Sequence, residues 1–232
     1  MASMPIKSNM RDSYSIFDVT GPILIGPSSS HTAGACRLAN AARAIMHEEI
    51  MDVVFHLYGS FAQTLLGHGT DKALVGGIIG IRPDDERLIR SHLYAKEKNL
   101  SYQFVAHDSR LSSANSVRFD MTGKEGKKTS VSGVSIGGGS IAIEKINDTD
   151  LYISLKYNTL VIDHVDKPGA VLSVSKILAE NNINIASLDV YRKGKHDTAY
   201  MIIEIDEDID EAVLNKVRKL DSMRAIYIPM LY

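Results

Sequence analysis

Apolar positions recur at helical spacing along the first part of the chain, alternate from Ser116 onward, and return to a mixed order after about Asn158. Ala33 to Glu49 carries Ala35, Leu38, Ala39, Ala42, Ile45 and Met46 on one helical stripe, and the many alanines predict close packing on a neighbouring element. Val53 to Tyr58 reads as a strand and Ser60 to Leu66 as a short helix stopped by Gly67. The His68-Gly69-Thr70-Asp71 turn then leads into a second apolar helix at Lys72-Ala73-Leu74-Val75. Asp84-Asp85-Glu86 opens a third helix running to about Asn99, followed by a strand at Tyr102 to Val105. From Ser116, apolar Val117, Phe119 and Met121 alternate with polar residues, Gly123 to Lys128 is a turn, and Thr129 to Lys145 is again extended, which predicts hairpin strands. Asn147-Asp148-Thr149-Asp150 reads as a polar break before a second domain.

The tail has its own order. Strand Thr159 to Asp163, a turn at Asp166-Lys167-Pro168-Gly169, helix Ala170 to Asn181 and strand Ile183 to Arg192 are followed by strand Thr198 to Ile205, helix Asp210 to Leu220 and strand Ala225 to Pro229. The sequence thus predicts an α+β protein, with a mixed α/β domain over residues 1–157 and a ferredoxin-like βαββαβ domain over residues 158–232.

Composition narrows the chemistry. The 232 residues hold 26 lysines and arginines against 28 acids, a formal charge of -2, so no nucleic-acid partner is expected, and small molecules and proteins are. Met1 to Lys7 has no apolar signal-peptide core, and no run approaches the about 20 apolar residues that span a bilayer, so no membrane partner and a soluble cytoplasmic protein are expected. Cys36 is the one cysteine, which excludes an internal disulfide and a cysteine-held cluster built by this chain alone. Among Gly34, Ala35 and Ala39 it reads as a buried structural thiol. His47, His56, His107, His164 and His196 form no His-x-x-x-His spacing, so no metal ligands are assigned.

Candidate chemistry concentrates in Gly26-Pro27-Ser28-Ser29-Ser30-His31-Thr32-Ala33-Gly34-Ala35, where a turn, four hydroxyls and an imidazole precede an apolar helix. Unpartnered amides and the positive end of the dipole make such a helix start a seat for a carboxylate, with Ser28, Ser29, Ser30 and Thr32 as further donors. Ordinary capping accounts for one or two of these residues, but not for all five polar ones. His31 and His68 each follow a glycine-containing turn, precede a threonine or a Gly-Thr pair and lead into an apolar helix, so both are expected to face one cavity as neutral imidazoles. The alternative is that each ring simply organises its own turn. Asp71 either orients His68 or caps the following helix, and Thr70 stands beside it. Gly137-Gly138-Gly139-Ser140 matches no nucleotide-binding loop, so it permits a bulge or lines the cavity with amides. Arg37 and Arg43 are left unassigned, and Gly59-Ser60-Phe61-Ala62 lacks the second glycine of a nucleophile elbow.

Taken with Ser15-Ile16-Phe17-Asp18-Val19-Thr20-Gly21-Pro22, Gly67-His68-Gly69-Thr70-Asp71 and Ser135-Ile136-Gly137-Gly138-Gly139, the serine-rich loop resembles the beta chain of bacterial iron-sulfur-dependent L-serine dehydratases over nearly the whole chain. Pro168-Gly169 and Asn182-Ile183-Asn184-Ile185 make the tail resemble an ACT domain. The resemblance implies a serine dehydratase beta-chain domain of the allosteric-substrate-binding kind, followed by an ACT domain. It further implies a companion alpha subunit carrying a 4Fe-4S cluster, and conversion of L-serine to pyruvate and ammonia. His31 and His68 would then be catalytic, and Ser28, Ser29, Ser30, Thr32, Thr70, Asp71, Gly138 and Gly139 would bind substrate. An amino-acid effector would bind at Asp166, Pro168, Gly169 and Asn184 where two ACT copies meet, in a homodimer or heterotetramer. Relatives often carry a His-Pro-Asn-Thr run where this chain has Ser113-Ala114-Asn115-Ser116. A second resemblance, to the regulatory end of phosphoglycerate dehydrogenases, implies a serine sensor with no reaction of its own.

Overall fold

A π-helical turn at Ser29–Gly34 runs directly into helix α1 (Ala35–Met46), so the stripe predicted over Ala33 to Glu49 divides into two windings. Within the turn the Ser28 carbonyl accepts from Thr32 N–H at 2.9 Å and from Ala33 N–H, five residues on, at 3.4 Å. α1 ends at His47, which is left-handed at φ 55°, and Glu48 and Glu49 therefore lie outside it. The computed structural model describes residues 26, 28–108, 115–192, 194 and 197–230.

Strand β1 (Ile50–Gly59) follows, then helices α2 (Ser60–Gln63) and α3 (Thr70–Ile78). The third predicted helix starts at its acidic signal, where the Asp85 carboxylate accepts from Arg87 N–H at 2.9 Å, but it winds first as a 3-10 turn (Glu86–Arg90) and only then as α4 (Ser91–Glu97). Strands β2 (Ser101–Ala106), β3 (Asn115–Gly123), β4 (Lys128–Gly137), β5 (Ser140–Ile146) and β6 (Thr149–Ile153) complete a sheet of order β2-β1-β3-β4-β5-β6, parallel only between β1 and β2. The predicted break at Asn147 to Asp150 is instead a tight hairpin: Asn147 turns at φ 52° and the chain returns as β6 beside β5. Polar turn residues signal a reversal and a domain boundary equally, and here the apolar Leu151 and Ile153 decide for another strand.

Val53, Phe55, Leu57, Val117, Phe119 and Met121 point from β1 and β3 into the core, none more than 2 % exposed. α1 packs on this sheet, and α3 packs on α1 with almost nothing between them. A Cβ on Gly77 would stand 2.4 Å from the Cys36 carbonyl oxygen, which is the close packing that the alanine stripe predicts.

Strand β7 (Asn158–Val165) begins the second sheet, followed by helix α5 (Ala170–Glu180), strands β8 (Ile185–Arg192) and β9 (Thr198–Ile205), helix α6 (Glu211–Arg218) and strand β10 (Met223–Ile228). The order β10-β7-β9-β8, antiparallel throughout, is the split βαββαβ arrangement. One face of this sheet holds Leu160, Ile162, Met201 and Ile203 against α5 and α6. The opposite face gives Val161, Tyr200, Ile202, Ile226 and Ile228 to the core of the first domain, and α1 packs on β3, β4, β5 and β10 alike. Polar ties reinforce the junction: Asn147 Nδ2 donates to Tyr200 Oη at 3.0 Å and Ser154 Oγ donates to Glu204 Oε1 at 2.6 Å. Among the described residues no helix is long and apolar enough to cross a membrane.

Candidate active site

Ser28 is extended, at φ -142°, and its Oγ accepts from His31 N–H at 3.1 Å, so capping does explain this one serine. Within this turn the His31 ring lies back over its own loop. Nδ1 lies 3.2 Å from Ser28 Oγ and 3.1 Å from Ser30 Oγ, while Nε2 lies 2.7 Å from Ser60 Oγ. Each of these neighbours is a hydroxyl, which both donates and accepts, so either neutral tautomer of His31 is satisfied. Ser60 is delivered by Gly59, which at φ 58° ends β1 and turns the chain.

The loop is pinned from beneath. Ser135 Oγ on β4 donates to the Ser30 carbonyl at 3.0 Å, and Gly34 approaches so closely that an added Cβ would fall 2.1 Å from Ser135 Oγ. From the other side Thr32 Oγ1 donates to the His68 carbonyl at 3.0 Å, joining the two histidine loops. His68 N–H donates to Thr64 O at 3.2 Å and Gly69, at φ 69°, starts α3. The His31 and His68 rings consequently meet edge to face with centroids 4.8 Å apart, and Phe61 backs His31 at 5.7 Å.

Burial lowers the His31 pKa from its ordinary 6.5, and the neighbouring His68 ring lowers it further. The imidazole is thus held neutral, by burial first and the second ring next.

The remaining predicted residues fall into groups. Ser29 is half-buried on the loop, whereas Thr32 is 4 % exposed with its hydroxyl engaged, and Thr70 is wholly buried with no partner for Oγ1 among the described residues. Asp71 neither orients His68 nor caps α3, whose cap position is Gly69. Its Oδ2 accepts from His92 Nε2 at 2.9 Å, and His92 Nδ1 meets Tyr102 Oη at 2.9 Å. Gly137, Gly138 and Gly139 have φ of 111°, 60° and 82°, with a register shift between Ser135 and Gly137, so the bulge is present. Arg37 Nη1 donates to the Gly139 carbonyl at 2.6 Å and fixes that turn beside α1. Ser15 to Pro22, Pro27, Ser113 and Ala114 lie outside the described residues.

Sequence reasoning sets Ser60 aside as a nucleophile and gives no role to His92 or Tyr102. A glycine closing a strand directly before a serine was the available signal for Ser60, whereas nothing local marks the pairing of Asp71 with a histidine 21 residues away.

The four predicted effector residues do not converge within one chain. Asp166 accepts from Arg192 Nη1 at 3.0 Å, and Pro168 and Gly169 open α5 at that same end of the second sheet. Asn184 bonds Glu207 and Asp206 at the other end, because Val165 pairs with Thr198 while Ile185 pairs with Ile205. An eight-residue strand, about 25 Å, separates them.

An iron-sulfur cluster does not fit this chain's own residues. Cys36 is fully buried, its Sγ donates to the Ile81 carbonyl at 3.3 Å, and burial pushes its thiol up to about 12, far from a thiolate ligand. Among the described residues no three His, Cys, Asp or Glu side chains converge to hold a metal ion.

Residues 158–222 match the ACT domain family and residues 15–105 match the family described as serine dehydratase beta chain. Together with the paired histidine loops, these define a two-domain α+β protein of amino-acid metabolism with a C-terminal ACT domain. The chain is 36 % identical over 209 residues to the probable L-serine dehydratase beta chain of Bacillus subtilis, spanning 90 % of this chain and 94 % of that one. It is 39 % identical over 205 residues to the L-serine dehydratase beta chain of Peptoniphilus asaccharolyticus, spanning 88 % and 92 %. The chain belongs to the serine dehydratase beta-chain family. It is also 26 % identical over 199 residues to a Bacillus subtilis D-3-phosphoglycerate dehydrogenase, spanning 84 % of this chain and 38 % of that one.

Proposed function

We propose that this chain is the beta subunit of a cytoplasmic L-serine ammonia-lyase, which converts L-serine to pyruvate and ammonia with an alpha subunit that holds the 4Fe-4S cluster. One observation carries the reading: a neutral imidazole, His31, sits at a helix start with hydroxyls on both ring nitrogens and a second histidine at 4.8 Å. First-turn amides at Ser29 and Ser30, with the Ser29 hydroxyl and the backbone of Gly138 and Gly139, bind the substrate carboxylate. His31, its Nδ1 proton donated to the Ser28 or Ser30 hydroxyl, accepts a proton at Nε2, the nitrogen facing Ser60, and returns it from the imidazolium. His68 orients the substrate and keeps His31 neutral. Thr32, Thr70 and Asp71, all buried, shape the site rather than touch the ligand.

In the ACT domain β8 is an edge strand. Antiparallel pairing of two β8 edges brings Asn184 of a second copy toward Asp166, Pro168 and Gly169 of the first, so an effector site there belongs to a dimer.

The match to a phosphoglycerate dehydrogenase supports a second reading, a serine-sensing subunit without catalysis. Anaerobic co-purification with the alpha subunit and assay of pyruvate from L-serine separates the two. Loss of turnover in His31→Ala and His68→Ala supports the lyase, and unchanged turnover in both supports the sensor.

A further inference from the structure

The His68 ring is exposed, and among the described residues it meets the edge of His31 but makes no side-chain hydrogen bond. A ring without a bond of its own stands where its backbone puts it. That backbone is tied in three places: His68 N–H donates to Thr64 O at 3.2 Å, His68 O accepts from Thr32 Oγ1 at 3.0 Å, and Asp71 N–H donates to Leu65 O at 3.3 Å. The loop that carries His68 is thus closed at its far end by Asp71.

Asp71 is in turn gripped from α4. Its Oδ2 accepts from His92 Nε2 at 2.9 Å, and the neighbouring Ser91 Oγ donates to Lys72 O at 2.8 Å, so consecutive residues of α4 bind consecutive residues in the first turn of α3. His92 is itself fixed by Tyr102 of β2, whose hydroxyl lies 2.9 Å from Nδ1 and whose ring stacks on the imidazole at 5.7 Å. Since a carboxylate only accepts, Nε2 carries hydrogen, and the Tyr102 hydroxyl donates to a bare Nδ1 or accepts from a protonated one. The bond to Asp71 therefore persists whether His92 is neutral or charged.

Stability alone does not account for this arrangement. Asp71 Oδ1 and Thr70 Oγ1 are buried with no partner among the described residues, and a buried carboxylate with an orphan oxygen stabilises less than hydrocarbon of the same shape. What a hydrogen bond adds and hydrocarbon lacks is direction. We infer that His92 is a positioning residue for the His68 loop: by holding Asp71 against α4 it fixes the end of that loop, and with it the place of the His68 ring beside His31. Asp71 does not touch the ring, so the effect passes through the backbone. Its consequence for turnover rests on the lyase reading above, since misplacing a group by about an ångström can cost about 10²-fold in rate.

The test compares the full-length wild-type chain with His92→Leu, His92→Gln and Tyr102→Phe, and with Ile203→Val in the core of the second sheet as a control for lost stability. NMR titration of the histidine rings in the isolated chain reads the geometry, and kcat/KM for pyruvate formation with the alpha subunit reads the function, both well below each variant's thermal midpoint. Because His68 is, after burial, the second cause of the lowered His31 pKa, a displaced His68 lets that pKa rise toward 6.5. His92→Leu is expected to raise it and to lower kcat/KM about ten-fold or more. His92→Gln, whose amide still donates to Asp71, stays near wild type, Tyr102→Phe gives a smaller change in the sense of His92→Leu, and Ile203→Val changes neither reading. His92→Leu that matches Ile203→Val in both readings overturns the inference, as does His92→Gln that is as impaired as His92→Leu. Should His92→Leu not fold, Tyr102→Phe with the titration and kcat/KM of wild type overturns it instead. A raised His31 pKa in His92→Leu, where even the wild-type pair forms no pyruvate, upholds the positioning and overturns the lyase reading.

Discussion

His31 Nε2 and Ser60 Oγ stand 2.7 Å apart across 29 residues of sequence. Ser60 thus holds the nitrogen to which the proposed proton exchange is assigned, while the serine loop holds the other. Replacing His31 by Gln in the reconstituted enzyme is expected to lower kcat by about 10²–10⁴-fold, the usual contribution of a general acid or base. Ser60→Ala, which removes one partner and leaves the ring in place, is expected to cost less, about ten-fold. Steady-state kinetics of pyruvate release checks both, and equal losses would show that the ring and the hydroxyl act as one unit.

The depressed pKa of His31 sets a direction for pH dependence. The folded protein binds this proton less readily than the unfolded chain, whose histidine titrates at 6.5. Its contribution to stability is therefore present above pH 6.5 and is lost as pH falls from there through the folded value. For catalysis, the acid limb of the kcat/KM profile is expected below pH 6.5. Since His68 is the second cause of the shift after burial, His68→Gln is expected to move that limb part of the way back up.

Gly34→Ala is expected to destabilise the chain by about 1–3 kcal/mol, because the new Cβ competes for space with the Ser135 side chain. Ser135→Gly in the same chain opens that space and recovers part of the loss, although it also removes the bond to the Ser30 carbonyl. Urea unfolding of the two single variants and the double variant measures the coupling. Strict additivity would mean that the two residues do not press on each other.

Local spacing makes most elements legible in the sequence. The alternation from Ser116 marks β3, and the stripe Ala35, Leu38, Ala39, Ala42, Ile45 and Met46 marks α1, because each depends only on which side faces the core. The convergence of His31 and His68 is legible from two glycine turns of similar make-up. What escapes depends on contacts distant in sequence. The π winding at Ser29–Gly34 is held by Ser135 on β4, and Ser60 reaches His31 from the end of β1. Asp71 selects His92 over His68 because α4 packs against α3. Asn184 is separated from Gly169 by the sense in which β8 runs, which a linear pattern of turns does not encode.

His92→Leu is expected to destabilise by about 1–3 kcal/mol, since it strips the partner from a carboxylate that is almost wholly buried. Asp71→Asn removes the charge and is expected to recover part of that loss in the double variant. Chemical denaturation of the single and double variants tests this, and an unchanged His92→Leu midpoint would show that solvent replaces the imidazole.

The outer face of the second sheet lends Val161, Tyr200, Ile202, Ile226 and Ile228 to the interior built around α1. A protein assembled this way has no seam along which it melts in halves. Calorimetry should record a single endotherm, and cutting the chain before Asn158 should yield a fragment with a newly wetted hydrocarbon surface and a strong tendency to precipitate.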